Sequence, residues 1–102
     1  MEEKKPLVSV CIPIFNNEDY IKETVLSIIE QSYVNIELII VDDSSKDKSI
    51  EIVKQLIKSY PGKGIKLYEN EKNLGMVGNW NKCLSLCTGK YIRLICADDR
   101  ID

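Results

Sequence analysis

Apolar residues in this chain gather into four short runs, separated by three stretches with helical periodicity. The first run, Leu7-Val8-Ser9-Val10-Cys11-Ile12-Pro13-Ile14-Phe15, is β-prone and apolar at nearly every position. That pattern suits a strand covered on both faces, as in a parallel sheet. Pro13 has no N–H for a ladder, so the strand is expected to end around it. Asn16 and Asn17 then turn the chain and can cap a helix over residues 18–31. In that helix Ile21, Val25, Ile28 and Ile29 share one face, and Glu18 and Asp19 occupy the first turn, where the helix dipole favours them.

The second run, Ile36-Glu37-Leu38-Ile39-Ile40-Val41, ends in Asp42-Asp43-Ser44-Ser45. A helix capped by Ser45 or Asp47 follows, with Ile50, Val53 and Ile57 on its buried face, and Pro61-Gly62-Lys63-Gly64 stops it. Residues 65–68 read as a third strand and residues 70–75 as a polar loop. Val77, Trp80, Leu84 and Cys87 mark the apolar face of a third helix, which Gly89 ends. The fourth strand, residues 91–96, runs into Ala97-Asp98-Asp99. The order β-α-β-α-β-α-β with right-handed crossovers predicts an α/β fold: three layers around a mostly parallel sheet.

Length limits the 102 residues to a single domain. The chain stops at Asp102, three residues past the second acidic pair, an ending expected of a domain truncated at its C-terminal end. Net charge is −2 with both signs mixed along the chain. No basic block is present to neutralise a phosphate backbone, which argues against nucleic acid as a partner. No apolar run approaches the roughly 20 residues that cross a bilayer, and Met1-Glu2-Glu3-Lys4-Lys5 lacks a signal peptide's apolar segment. The expected location is the cytoplasm, with peripheral membrane attachment open to a longer protein. There is no His, and Cys11, Cys83, Cys87 and Cys96 lack CxxC spacing, so buried reduced thiols are expected rather than zinc.

In open parallel sheets ligands bind beyond the carboxyl ends of the strands. Three of these ends carry polar signatures: Pro13-Ile14-Phe15-Asn16, Asp42-Asp43-Ser44-Ser45 and Cys96-Ala97-Asp98-Asp99. Two converging acidic pairs repel unless a cation or hydrogen bonds join them. Carboxylates suit Mg²⁺ or Mn²⁺, whose remaining ligands are commonly water and substrate phosphates. Taken singly, Asp42-Asp43-Ser44-Ser45 is as well explained by a turn and a helix cap, and Asp98-Asp99 by a solvated turn. Asn73-Leu74-Gly75-Met76-Val77-Gly78 could line phosphates, but matches neither the dinucleotide fingerprint nor the P-loop. Trp80 reads as core, whereas Phe15, just past a strand end, could stack on a base or cover the helix behind it.

The order of these signals resembles family 2 glycosyltransferases of the GT-A fold. The resemblance rests on Val8-Ser9-Val10-Cys11-Ile12-Pro13-Ile14-Phe15-Asn16, on Glu37-Leu38-Ile39-Ile40-Val41-Asp42-Asp43-Ser44-Ser45-Lys46-Asp47, and on Asn73-Leu74-Gly75. Asn81-Lys82, Gly89-Lys90-Tyr91-Ile92 and Cys96-Ala97-Asp98-Asp99 complete it, over nearly the whole chain. It implies binding of a nucleoside-diphosphate sugar, UDP-linked, with Mg²⁺ or Mn²⁺, for transfer to an acceptor hydroxyl. It also implies roles. Pro13 and Phe15 border the base, Phe15 stacking on it; Asp43 accepts the base N3–H while Asp42 supports the turn. Asn73 closes the nucleotide pocket, Asp98 approaches ribose or metal, and Asp99 holds the metal. The family's metal motif often reads Asp-x-Asp-Asp, and here Cys96 takes the first place.

By the same resemblance the acceptor site and general base lie beyond Asp102, so no catalytic residue is assigned and the chain alone is expected to be inactive. Two other readings stay open. One is a binding-only or inactive domain of the same fold. The other is a phosphoacceptor receiver, against which the Pro13-Ile14-Phe15-Asn16 end of the first strand argues. The fourth strand's outer edge is expected to be exposed, which predicts a two-fold dimer through it.

Overall fold

The computed structural model describes residues 6–30 and 35–96. The elements are β1 (Val8–Ile14), α1 (Ile21–Ile29), β2 (Ile36–Asp42), α2 (Ser49–Ser59), β3 (Ile65–Glu69), α3 (Gly75–Ser85) and β4 (Tyr91–Leu94). All four strands form one parallel sheet in the order β3-β2-β1-β4. The expected α/β architecture is therefore present.

Strand alternation builds the three layers. Val10, Ile12 and Ile14 of β1 and Leu38 and Ile40 of β2 project to one side. There they pack with Ile21, Val25 and Ile28 of α1 and Val53 and Leu56 of α2. Cys11, Ile39 and Val41 project to the other side and meet Cys83 of α3. Both faces of the central strands are covered, which is why β1 and β2 read as nearly continuous apolar runs, broken by Ser9 in β1 and by Glu37 and the terminal Asp42 in β2. The chain steps from β1 to β2 and β3 on one side, then crosses to β4 on the other. The switch point lies between β1 and β4, where such sheets open a crevice at their carboxyl ends.

β1 ends at Ile14, one residue past Pro13 as expected, with Pro13 opposite Val41. Val8 N–H donates to Asn35 O toward β2, whereas Cys11 O accepts from Ile95 N on the β4 side. Pro13 shares the side of Cys11, so its missing N–H faces the end of the β1–β4 ladder and costs the β1–β2 ladder nothing. α1 starts later than the acidic signal suggested, at Ile21, leaving Glu18 and Asp19 ahead of it. Asn17 caps it only through its carbonyl, which accepts from Tyr20 and Ile21; its side chain turns back to Phe15 N.

α3 departs most from the expected phase. Its buried positions are Asn79 and Cys83, while Val77 is 69% exposed and Leu84 is exposed too. Gly89 does not terminate it, since the helix ends at Ser85 with Leu86 as C-cap. Glycine is required at 89 for closeness: a Cβ would sit 2.7 Å from Leu7 O and 2.8 Å from Ser9 N.

The opposite end of the sheet is closed by a buried charge. Glu37 accepts from the Ser9 hydroxyl, from Thr88 N–H and hydroxyl, and from Lys66. Burial by itself would raise this carboxyl, but the donors outweigh it and hold the pKa at about 2.

Candidate functional site

Two loops meet at the carboxyl ends of β1 and β2, and short polar side chains lace them together. Asn16, at φ 53°, and Ser44, at φ 66°, take the left-handed turn conformation that asparagine tolerates well. Asn16 N–H donates to Ser45 Oγ at 2.9 Å, and Lys46 N–H donates to Asn16 Oδ1 at 2.8 Å. Asn17 N–H donates to Ser49 Oγ, and Glu18 N–H to Asp47 Oδ2. Phe15 is pinned from behind, its N–H bonded to Asn17 Oδ1 at 2.8 Å, and the residue is 47% exposed. A large aromatic held this open on a rigid turn is available to a flat ligand.

The two aspartates at the end of β2, Asp42 its last residue and Asp43 just past it, divide the work. Asp42 is fully buried, and both its oxygens accept from Ser45, one from the N–H and one from the hydroxyl. It braces the turn. Asp43 points the other way, toward the start of α3. Its Oδ1 accepts from Leu74 N–H at 2.7 Å and from Asn70 Nδ2 at 2.9 Å. Its Oδ2 accepts from Gly75 N–H at 3.0 Å, and its backbone carbonyl accepts from Asn73 Nδ2. A carboxylate on the first amides of a helix is favoured by their orphaned N–H groups and by the dipole. Gly75, at φ 82°, supplies the left-handed geometry that starts α3 there.

These pieces surround a cleft of about 310 Å³ lined by Pro13, Phe15, Asn17, Asp43, Asn73 and Gly75, and by Met76, Asn79, Trp80 and Cys96 of α3 and the β4 end. The volume sits at the low end for small-molecule sites. Of the predicted residues, Pro13, Phe15, Asp43 and Asn73 come together here, and Asp42 is not among the lining residues. Asp98 and Asp99 lie outside the described residues; Cys96, two positions before Asp98, is on the cleft wall.

The sequence reading missed Asn17, Met76 and Asn79 and assigned Trp80 to the core. Asn79 is 3% exposed yet polar, and its Nδ2 donates to Val41 O. The available signal was an asparagine one helical turn after Gly75, inside a helix otherwise read by its apolar residues. Among the described residues no group of three or more Cys, Asp or Glu side chains could hold a metal, and none of the four cysteines is in a disulfide. No helix among those residues is long and apolar enough to cross a membrane.

Known proteins resemble this chain in sequence and fold. A glycosyltransferase of Haemophilus influenzae is 42% identical over 96 residues, covering 94% of this chain and 38% of that protein. TuaG of Bacillus subtilis, named for teichuronic acid biosynthesis, is 39% identical over 100 residues, 98% of this chain and 39% of its own length. Among solved structures, the Pyrobaculum calidifontis mannosyltransferase PcManGT, in complex with GDP-Man and Mn²⁺, superposes with a TM-score of 0.86. It is 28% identical, over 93% of this chain and 28% of that one. S. aureus TarS in complex with UDP gives a TM-score of 0.81 at 29% identity, over 94% of this chain and 28% of that one. The chain thus spans well under half the length of these relatives. The model of glycosyl transferase family 2 matches residues 9–102, and the chain belongs to that family.

Proposed function

We propose that these 102 residues form the unit that binds a nucleoside-diphosphate sugar, UDP-linked, in a longer transferase that passes the sugar to an acceptor hydroxyl. The observation that carries the reading is the convergence of Phe15 and Asp43 on one cleft at the switch point of the sheet. Phe15 stacks on the base and Asp43 accepts its N–H, with Pro13 and Asn73 on the walls. Asp42 serves from behind by bracing the turn.

The lone-pair count on Asp43 supports uracil. Both in-plane positions of Oδ1 are occupied by Leu74 and Asn70, and Oδ2 has one taken by Gly75. One acceptor position is left for the base. Uracil offers one N–H between two carbonyls, whereas guanine offers two adjacent donors and would leave one unmatched.

A divalent cation, Mg²⁺ or Mn²⁺, suits the donor chemistry that follows the cleft. Cys96 lines the wall, and the hard carboxylates of Asp98 and Asp99 come two and three residues later. Asp99, with Asp98 beside it, would hold the ion, which supplies charge neutralisation of the diphosphate. The chain's own residues bind and orient the nucleotide. Given its share of the relatives' length, the chain by itself is expected to bind the donor without transferring sugar.

Calorimetric titration with UDP and Mn²⁺ tests the reading. Saturable one-site binding that Phe15→Ala and Asp43→Ala each weaken supports it, and heats indistinguishable from dilution refute it. That second result would favour the binding-inactive domain of the same fold.

One observation favours self-association as well. Among the described residues β4 is an edge strand paired only with β1, and all four of its residues are exposed. An uncovered apolar edge recruits another strand, and a two-fold pairing of β4 edges is the proposed dimer. Sedimentation showing monomer alone at high concentration would count against it.

A further inference from the structure

Beside Asp43 lies a pair of buried amides, Asn79 on the cleft wall and Asn70 outside the cleft lining. Asn70 follows β3 and is 7% exposed, and Asn79 lies on α3 and is 3% exposed. Asn70 Nδ2 donates to Asp43 Oδ1 and to Asn79 Oδ1, both at 2.9 Å. Asn79 Nδ2 donates to the carbonyl of Val41 on β2 at 3.1 Å. Asn70 N–H closes the circuit on Asp42 O at 2.8 Å. The chain of bonds therefore runs from Val41 on β2 through α3 and back to the Asp43 carboxylate just past the end of β2.

The direction of each bond is fixed by chemistry. Exchanging the oxygen and nitrogen of the Asn70 amide would set its carbonyl against two acceptors, Asp43 Oδ1 and Asn79 Oδ1. As placed, both amide hydrogens are used. The cost falls on Asn70 Oδ1, the one buried side-chain polar atom among the described residues without a hydrogen-bond partner. An unsatisfied buried carbonyl lowers stability. Its retention marks the Asn70 amide as a donor of two hydrogens to fixed points.

We infer that Asn70 and Asn79 are positioning residues that set the base preference of the cleft. They hold the Asp43 carboxylate at one rotation, with Oδ1 saturated and a single position on Oδ2 left for ligand. The inference rests on the reading of Asp43 as the acceptor of the base N–H. Without the Asn70 donor, Oδ1 regains an open position and the carboxylate can turn about its Cβ–Cγ bond. Two adjacent oxygens then become available, which is the arrangement a guanine edge with paired donors uses. Asn79 acts one step further back, by holding Asn70 against α3.

The test is calorimetric titration of UDP and GDP, each with Mn²⁺, against the wild-type chain, Asn70→Leu and Asn79→Leu. The two nucleotides share ribose and diphosphate, so any general loss of structure weakens both alike. The wild type is expected to prefer UDP by about tenfold or more, the scale of one unmatched donor. Both variants are expected to lower UDP affinity and to bring the UDP:GDP ratio close to one. Should either fail to fold by circular dichroism, Asn70→Ser, which retains at most one donor, is expected to give an intermediate ratio. A ratio equal to wild type in folded variants overturns the inference while leaving UDP binding by the cleft intact. A wild-type chain that binds neither nucleotide removes the parent reading and this one with it.

Discussion

Asp43 Oδ2 accepts the N–H of Gly75 at 3.0 Å, so the residue after β2 also anchors the first turn of α3. The same carboxylate takes the Leu74 N–H on its other oxygen, and at 2% exposure it exchanges little of this bonding with water. A candidate ligand-binding group therefore carries structural load. Asp43→Ala should leave these donors unpaired and lower unfolding free energy by about 2–4 kcal/mol. Urea unfolding measures that loss, and UDP titration at a temperature where the variant is still folded measures the loss of binding.

Phe15 should separate binding from stability in a way Asp43 does not. The residue is half exposed and contributes little to either core cluster. Phe15→Ala is expected to shift unfolding by less than about 1 kcal/mol and to weaken UDP by about tenfold, since base–aromatic stacking is worth roughly 1–3 kcal/mol. Replacement by Tyr or Trp should restore affinity. A Phe15→Ala chain that binds UDP like the wild type removes the stacking role.

Glu37 gives the fold a defined acid limit. Burial would raise its carboxyl, but hydrogen bonds from Ser9, Thr88 and Lys66 hold it at about 2, below the ordinary 4.5. A depressed carboxyl stabilises the folded chain above its unfolded pKa and loses that contribution as pH falls through the folded value. The window is thus from about 4.5 down to about 2. On the order of 3 kcal/mol present at neutral pH is expected to disappear across it. Urea midpoints measured from pH 6 to pH 2 should fall in the wild type and change much less over this range in Glu37→Gln, which starts less stable.

Gly89 is a steric prediction. A Cβ there would press on Leu7 O and Ser9 N at 2.7 and 2.8 Å, both backbone atoms of the β1 entry. Gly89→Ala should cost about 1–3 kcal/mol by pushing β4 away from β1. Thermal melts with and without UDP check it, and an unchanged melt would mean that β1 and β4 separate easily.

Legibility in the sequence followed burial. β1 and β2 were readable because both faces are covered, leaving runs such as Leu38-Ile39-Ile40-Val41 with no polar interruption. Phe15 and Asp43 could be placed at one edge because parallel strands deliver their ends together, Asn73 came from the family resemblance, and the cleft is lined by all three. α3 was misphased because apolar periodicity assumes that the buried face is apolar. Asn79 is buried through hydrogen bonds to Val41 O and Asn70 instead, which turns Trp80 toward the cleft wall and Val77 into solvent. Pro13 marked the strand's end well, because its missing N–H falls where the β1–β4 ladder stops. Family resemblance supplied the roles of Asp98 and Asp99, which lie outside the described residues.

The most direct test of the account is titration of the 102-residue chain with UDP in the presence of Mn²⁺, repeated with Asp43→Asn. The account predicts one-site binding by the wild-type chain and a loss of at least about tenfold in the variant, whose amide must turn an N–H toward either the base or the α3 amides. Equal affinity in the two proteins, or no binding by the wild type, would contradict it.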